Sequence, residues 1–423
     1  MRRNRSIVIT AFIAVAALAG CSSSGDPVAS PSSTSASAAT AYQAALEQQI
    51  PELMKANAIP GVGVLIRSRE QGDWQATFGT AELDAEVPVT MDDTFRIGSN
   101  TKTMTSTVIL QLAQEGKLAL DDPISKYVDG VPNGDEITIA QLSEMRSGLV
   151  SYTFDKKFNE TLDKDPQKAW TPQELLDIGL SKKPTAQPGT EYDYSNTNIV
   201  LLGVVIEKLT GMSATQAFEE RIFKPLGLSR TSLPVNTESA LPDPHPQGYQ
   251  FGTNVQTIES YAVPKADLPA ALDGSLAPLN YTDSNPSWAW TAGGAISTAE
   301  DLATYAEALV DGGLLDAEMQ QTRMDSLQPI APGAPVSYGL GIAQFAPDLY
   351  GHDGQLPGFS SFMARDAKAG NTIIIFANLS ASPVDGENAA VVLGKAVIGA
   401  LYGSSAVPGG DPAGASAGAT PSG

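Results

Sequence analysis

Short apolar runs rich in β-branched residues occur near both ends of the chain and predict strands. Residues 62–68 (VGVLIRS) and 74–79 (WQATFG) are separated by a short polar turn, which predicts a hairpin. Residues 338–345, 359–366 and 371–379 have the same character and are separated by Gly, Pro, Asp or Asn. The sequence therefore predicts strands at both ends of the folded region.

Helical periodicity dominates the middle of the chain and also marks its two outer segments. The predicted helices cover residues 42–57, 171–180, 198–211, 213–228 and 387–402. Strands at both ends around a helical middle predict an α/β (α+β) fold, in which both chain ends form one antiparallel sheet flanked by helices. A mostly helical insertion is expected at about residues 118–285.

The first twenty residues differ in composition from the rest. Three arginines precede an uncharged apolar stretch, residues 7–19, which is too short to span a bilayer comfortably and is typical of a signal peptide. It ends in Leu-Ala-Gly-Cys, a sequence that resembles the bacterial lipobox, with Cys21 as the residue to be lipidated. An ordinary secretory signal with a chance cysteine is the alternative.

These features predict the organisation of the whole chain. We expect a lipoprotein signal peptide at residues 1–20, a Ser- and Ala-rich tether at 21–41, a folded domain at 42–402 and a disordered tail at 403–423. Lipidation of Cys21 would anchor the protein on the extracytoplasmic face of a bacterial cell membrane. Cys21 is the only cysteine, so no intramolecular disulfide can form.

The acidic composition excludes some partners. The 423 residues carry a formal net charge of -21, whereas nucleic-acid binding needs a basic surface. One cysteine and two histidines are too few for a zinc cluster. No cofactor, metal or nucleic-acid partner is predicted, and the oligomeric state is not determined by the sequence.

A Ser-x-x-Lys sequence provides the first candidate for chemistry. Apolar residues at positions 104, 108 and 112 predict one face of a helix, which places Ser99 at its N-terminus and Lys102 on the same side. There the helix favours developing negative charge, and Lys102 can share a proton with Ser99. The alternative is a capping serine followed by a solvated lysine.

Two further motifs could complete a site. Tyr194 and Asn196 precede an apolar helix, where the phenol could take the Ser99 proton and the amide could orient Lys102 or the substrate. They could equally be a core aromatic residue and a helix cap. In residues 349–362, His352 could line the cleft, Gly354 could let substrate approach the strand, and the Gln355 N–H could stabilise an oxyanion. The alternative for His352 is a turn residue.

The order Ser-x-x-Lys, Tyr-x-Asn, His-x-Gly resembles the serine β-lactamase and penicillin-binding protein superfamily, in particular its class C-like branch with D-alanyl-D-alanine carboxypeptidases and esterases. Supporting stretches run along the folded region, among them DDTFRIGSNTK, AGGAISTAEDLATYAEAL and SYGLGI. The resemblance implies a covalent acyl-enzyme on Ser99, proton transfer by Lys102 and Tyr194, and an oxyanion held by the N–H groups of Ser99 and Gln355. It does not determine which of Lys102 and Tyr194 is the base.

The resemblance leaves the substrate open among small peptides, β-lactams and esters. A D-alanyl-D-alanine carboxypeptidase-like enzyme acting on cell-wall peptides is the first expectation. Asp353 and Arg146 depart from the pattern of many relatives, and Asp353 would repel a substrate carboxylate if it faced the cleft. A carboxylesterase or β-lactamase of the same fold, or a penicillin- or peptidoglycan-binding lipoprotein without turnover, remain as alternatives.

One segment is expected to cover the cleft. Residues 236–285 are rich in Pro, Asn and Asp and predict an irregular cover. Trp288 and Trp290, at its flank, could stack on substrate or could pin the cover to the core.

Overall fold

Strands from both ends of the described chain, residues 41–403 and 406–407 of this computed structural model, build the sheet. In chain order they are β1 Gly61–Ser68, β2 Trp74–Glu82, β3 Val87–Pro88, β4 Phe95–Arg96, β5 Tyr249–Gln250, β6 Leu279–Asn280, β7 Ile296–Ser297, β8 Gln328–Pro329, β9 Ser337–Tyr338, β10 Ala343–Ala346, β11 Leu349–Leu356, β12 Phe359–Asp366 and β13 Asn371–Ala377. Nine of them form one sheet in the order β3-β2-β1-β13-β12-β11-β10-β9-β8. Two-stranded pairs join β4 to β7 and β5 to β6.

All neighbouring strands of the large sheet are antiparallel. The predicted hairpin is present as β1 and β2, and β1 also pairs with β13 along seven residues, from Val62 opposite Ala377 to Ser68 opposite Asn371. The first strand therefore joins the last, which confirms the prediction that both chain ends form one sheet. The strand expected at 338–345 is interrupted between β9 and β10, where Gly341 turns with φ +69° against Ser106.

The helices, in chain order, are α1 Ala41–Ala56, α2 Thr101–Gln114, α3 Ile139–Ser143, α4 Lys156–Lys164, α5 Pro172–Leu180, α6 Asn196–Thr210, α7 Ala214–Phe218, α8 Lys224–Leu226, α9 Leu268–Asp273, α10 Trp290–Gly293, α11 Ala299–Asp311, α12 Ala317–Asp325 and α13 Ala389–Tyr402. The helix predicted at 213–228 is divided by a π-helical turn, Glu219–Phe223. The predicted signal peptide, Cys21, and most of the predicted tether and tail lie outside the described residues.

Local sequence explains where several helices begin and end. Thr171 caps α5 and exchanges hydrogen bonds with Glu174 in a capping box. Gly211, with φ +69°, ends α6, whose residues 197–203 are all buried. Taken singly, no described helix is long and apolar enough to cross a membrane, although Asn196–Thr210 and the bent continuation Ala214–Leu226 meet that criterion together.

Helices pack on both faces of the sheet. The ring of Phe362 in β12 contacts α13 at Gly394, and Arg365, three residues later, pairs with Asp311 at the end of α11. Side chains an odd number of positions apart face opposite sides of a strand. The two helices therefore cover opposite faces, and α2 lies on the α11 side, where Tyr305 of α11 contacts Thr103.

A close aromatic contact joins the centre of the sheet to the segment before α2. Phe95 of β4 stacks on Phe376 of β13 with ring centroids 4.1 Å apart. Gly63 of β1 makes room for the Phe376 ring, since a Cβ atom at Gly63 would lie 2.2 Å from it. The absence of a side chain at Gly63 thus lets this stack form.

We predict that Gly63→Ala destabilises the fold by roughly 1–3 kcal/mol, because the Phe376 ring must shift in a close-packed core. Urea denaturation of the purified protein measures the free energy of unfolding. Gly399→Ala is the matched control, since its Cβ would meet only Val407, at 3.5 Å, within a helix. An equal effect of both substitutions would contradict the prediction.

Candidate active site

Ser99, the predicted nucleophile, lies in a tight turn at the start of a buried helix. Residues Gly98–Asn100 form a 3₁₀ turn that leads directly into α2. Gly98 has φ +52°, and a Cβ atom on it would lie 2.6 Å from the backbone nitrogen of Gln355. A side chain there would push the turn away from β11. Glycine at this position lets the nucleophile lie directly against the sheet.

Buried hydrogen bonds fix this turn to the sheet. The Asn100 amide donates to the Ile97 carbonyl at 3.1 Å and to Ser361 Oγ at 2.8 Å. The Ser361 hydroxyl in turn donates to the Ile97 carbonyl at 2.8 Å, and Thr101 Oγ1 donates to Gly98 at 2.7 Å. Because all these groups are buried, loss of any partner would leave an unpaired polar atom. The turn is therefore held in one position.

Lys102 lies one helical turn after Ser99 and is completely buried. Its ammonium donates to Ser99 Oγ at 2.9 Å and to the Ala292 carbonyl at 2.6 Å, and lies 4.8 Å from the centre of the Tyr194 ring. Burial lowers the pKa of Lys102 to about 7, although the Asp353 carboxylate opposes this shift. At neutral pH an appreciable fraction of Lys102 is uncharged and able to accept the Ser99 proton.

Tyr194 faces the same hydroxyl from two residues before α6. Burial, followed by the neighbouring Tyr338, raises the pKa of its phenol well above the usual value. An interaction with Ser99 opposes that shift, yet the phenol oxygen has no hydrogen bond of full strength to any described residue. Tyr194 therefore stays protonated at neutral pH and is suited to donate a proton. Of the two bases that the sequence left open, the geometry favours Lys102.

The expectation that His352 lines the cleft is wrong. Its side chain is fully buried, with Nε2 3.0 Å from the Tyr338 hydroxyl and Nδ1 2.5 Å from the Asp353 carbonyl oxygen. Burial, followed by the nearby Lys102 charge, lowers the pKa of His352 to about 3, so the imidazole is neutral. Its ring centre lies 6.3 Å from that of Tyr194. His352 thus packs near the Tyr194 ring below the surface of the cleft.

Gly354 also differs from expectation, and Asp353 does not meet the condition under which it would repel a substrate carboxylate. A Cβ atom on Gly354 would lie 2.0 Å from the Ile97 carbonyl oxygen, so this glycine admits the segment that carries the nucleophile and not a substrate. Asp353 pairs in register with Phe362, and its Oδ2 accepts from the Asn388 amide at 3.3 Å, at the start of α13. The fully buried Asp353 therefore faces α13 and does not present its carboxylate to the cleft.

Asn196 lines the cleft but does not hold Lys102. Its amide donates to Thr153 Oγ1 at 3.3 Å, and the Ala292 carbonyl of α10 holds the Lys102 ammonium instead. A contact of Asn196 with substrate stays a prediction. Sequence reasoning missed Ala292 because a backbone carbonyl has no side-chain signature. The segment that carries Ala292 is marked only in the structure, where Trp290 begins α10 with the unusual φ of +36°.

Gln355 remains beside the nucleophile. It lines the cleft together with Ser99, and its backbone nitrogen lies against Gly98. A donor at this point could share a developing oxyanion with the Ser99 N–H. That role stays a prediction, as do the catalytic roles of Ser99, Lys102 and Tyr194.

Comparison with known proteins identifies the family of this arrangement. The family model described as Beta-lactamase matches residues 46–397, which include the whole site. The chain belongs to the Beta-lactamase family.

Relatives within this superfamily include hydrolases of D-amino acid derivatives. A D-stereospecific amidohydrolase from a Streptomyces species is 32% identical with a TM-score of 0.71, and the match covers 85% of this chain and 98% of that one. D-amino acid amidase from Ochrobactrum anthropi SV3 is 25% identical with a TM-score of 0.71, over 86% of this chain and 100% of that one. PbpX of Bacillus subtilis, named as a penicillin-binding protein, is 28% identical over 78% of this chain and 74% of its own length.

The cleft of this Beta-lactamase-family hydrolase has a volume of about 810 Å³. Apolar side chains, including Phe158, Leu162 and Trp288, line one part of it. Residues 257–261 of the expected cover line another part. Trp288 thus faces the cleft, whereas Trp290 is buried in the core. Stacking of Trp288 on substrate stays a prediction.

Arg146 does not contribute to this lining. Its side chain is buried and its guanidinium donates to the Pro329 carbonyl at 3.0 Å. It lies just after α3 and does not supply a cation to the substrate site.

We predict that acylation of Ser99 depends on deprotonated Lys102. Acylation is followed as the p-nitrophenol burst from p-nitrophenyl acetate. Below the Lys102 pKa of about 7 the base is protonated, so the rate should fall about tenfold per pH unit, and it should level off above about pH 8.

Tyr194→Phe is the informative control. It should lower the burst rate much less than it lowers amide turnover, because p-nitrophenolate leaves without a proton whereas an amide nitrogen needs one, and the pH midpoint near 7 should persist. A midpoint that disappeared in Tyr194→Phe and persisted in Lys102→Met would reverse the assignment of the base.

Proposed function

We propose that this protein is a serine amidohydrolase that cleaves small D-amino acid amides through an ester intermediate on Ser99. The observation that carries the proposal is the pairing of Ser99 Oγ with a fully buried Lys102 ammonium at 2.9 Å, in which burial lowers the Lys102 pKa to about 7. This arrangement makes a serine nucleophilic at neutral pH without a histidine base.

The proposed reaction has two half-steps. Ser99 Oγ bonds to the substrate carbonyl carbon while Lys102 accepts the hydroxyl proton, and the amide nitrogen leaves with a proton supplied through Tyr194. The oxyanion formed in between is stabilised by the N–H groups of Ser99 and Gln355. Water then attacks the ester, its proton passes to Lys102, and Ser99 is regenerated with release of the acid.

The D-amino acid amide class is supported by the relative named D-amino acid amidase, and the relative named D-stereospecific amidohydrolase agrees with it in bond type and stereospecificity. The apolar lining that includes Phe158 and Trp288 is suited to a large apolar side chain on the substrate.

D-alanyl-D-alanine carboxypeptidase activity is the second candidate, and the relative named as a penicillin-binding protein favours it. Such an enzyme must bind a terminal carboxylate, usually through a cation or hydroxyl groups. Among the described cleft-lining residues the only cation is Lys395, and it is paired with Glu387. Hydroxyl groups of Ser151, Thr153 and Ser260 also line the cleft, so we rank the carboxypeptidase below the amidase on the acidic surroundings and the paired state of that cation.

Substrate turnover tests the two candidates directly. We expect ammonia release from D-phenylalanine amide, little from its L enantiomer, and at least tenfold lower kcat/KM on a peptide ending in D-Ala-D-Ala. Ser99→Ala should abolish all turnover. Faster Ser99-dependent release of D-alanine than of ammonia would establish the carboxypeptidase instead, and no Ser99-dependent turnover would refute a hydrolase of either kind.

We also propose that the mature protein is anchored on the extracytoplasmic face of a bacterial membrane through a lipidated Cys21. The proposal is supported by the apolar stretch at 7–19 and the Leu-Ala-Gly-Cys sequence that follows it. Mass spectrometry of the mature N-terminus should find diacylated Cys21, and Cys21→Ser should move the protein from the membrane to the soluble fraction. An unmodified Cys21 in the mature protein would refute it.

A further inference from the structure

The charged groups that line the cleft are predominantly acidic. Glu259, Asp385 and Glu387 lie there with a single cation, Lys395, whose ammonium is paired with Glu387. Glu259 and Asp385 are exposed, and neither forms an ion pair with another described residue. Two carboxylates thus remain available in a cleft that also contains the nucleophile.

Backbone contacts bring the two carboxylate-bearing segments together. Val263 N–H donates to the Pro383 carbonyl at 3.0 Å, which joins the cover segment to the loop before α13. A Cβ atom on Gly386 would lie 2.9 Å from the backbone nitrogen of Ala262. Glu259 and Asp385 therefore belong to two adjoining segments that form one wall of the cleft; we call this pair of residues the acidic wall.

The acidic wall and Ser99 line the same cleft. The Gln355 backbone lies against Gly98, next to Ser99, and Gln355 lines the cleft together with Tyr261. The backbone of Tyr261 lies next to Gly386, which adjoins Asp385. Ser99, the end of β11 and the acidic wall are therefore parts of one cleft.

A buried polar group independently indicates a ligand in this cleft. Tyr194 lines the cleft with a side chain that is only 6% exposed, and its buried hydroxyl has no full hydrogen bond to a described residue. Buried polar groups of this kind normally have a partner. A substrate atom at the reacting centre could accept the hydrogen bond that the Tyr194 hydroxyl lacks. A bound substrate would then have one end at Tyr194 and the other towards the acidic wall.

We infer that Glu259 and Asp385 bind a cationic amine on the substrate, so that this enzyme selects amides with a free amino group over their N-acylated counterparts. The inference rests on the proposed amidohydrolase function and names its substrate class. The negative electrostatic potential of these carboxylates attracts an ammonium ion and repels a substrate carboxylate. Because both side chains are exposed, salt screens their effect.

The experiment compares kcat/KM for free-amine and N-acetylated forms of two substrates, D-phenylalanine amide and D-alanyl-D-phenylalanine amide. The dipeptide places its amine one residue farther from the scissile bond. In the wild-type protein at low salt we expect about tenfold preference for the free amine in at least one pair, decreasing towards unity in 1 M NaCl.

The double variant Glu259→Gln/Asp385→Asn should reduce that preference to within about twofold, mainly through a lower kcat/KM for the free amine. The double variant Glu47→Gln/Glu318→Gln, which neutralises two exposed carboxylates on α1 and α12 outside the cleft, is the control for the change in net charge and should leave the preference intact. Thermal melting of each variant verifies that it is folded.

The outcomes separate the two proposals. Ser99-dependent turnover without a free-amine preference, or with a preference that the double variant retains, would overturn the role of the acidic wall and leave the amidohydrolase in place. Absence of Ser99-dependent turnover of any of the four amides would overturn both.

Discussion

The site depends on the burial of one lysine ammonium. A charged amine removed from water is costly, and Lys102 has two oxygen partners, the Ser99 hydroxyl and the Ala292 carbonyl. Each partner belongs to a different element, so α2, the turn before it and α10 must keep their relative positions. Incomplete compensation of that burial is what makes Lys102 easy to deprotonate. The burial that makes the Lys102 amine easy to deprotonate therefore also lowers the stability of the folded protein.

The segment that precedes the nucleophile also holds the wall of the cleft. Arg96 of β4 is buried, and its guanidinium donates to the carbonyl groups of Ser239, Thr282 and Ser284 at 2.8–3.1 Å. These carbonyls lie near both ends of the cover segment, residues 236–285. A single side chain three positions before Ser99 thus fixes the cover, so substrate enclosure and nucleophile placement share one anchor.

Much of this arrangement could be predicted from local patterns. The start of α2 and the juxtaposition of Ser99 with Lys102 follow from helical spacing, and the β1–β2 hairpin follows from two apolar runs around a polar turn. Positions whose role depends on distant neighbours could not be read in this way. His352 and Gly354 were expected at the cleft surface, but the Tyr338 hydroxyl and the Ile97 carbonyl occupy the space beside them. Their surroundings are set by register across the sheet, which a motif does not encode.

The hydrogen bond between Asn100 and Ser361 joins residues 261 positions apart in the chain. During synthesis Ser99 therefore exists for most of the time as an ordinary serine, because the strand that immobilises its turn has not yet been made. Contacts of such sequence separation form late and slow the folding of a domain. The proposed reactivity of Ser99 therefore requires β12, and chains that end before Ser361 carry the Ser-x-x-Lys motif without the hydrogen bond that fixes its turn.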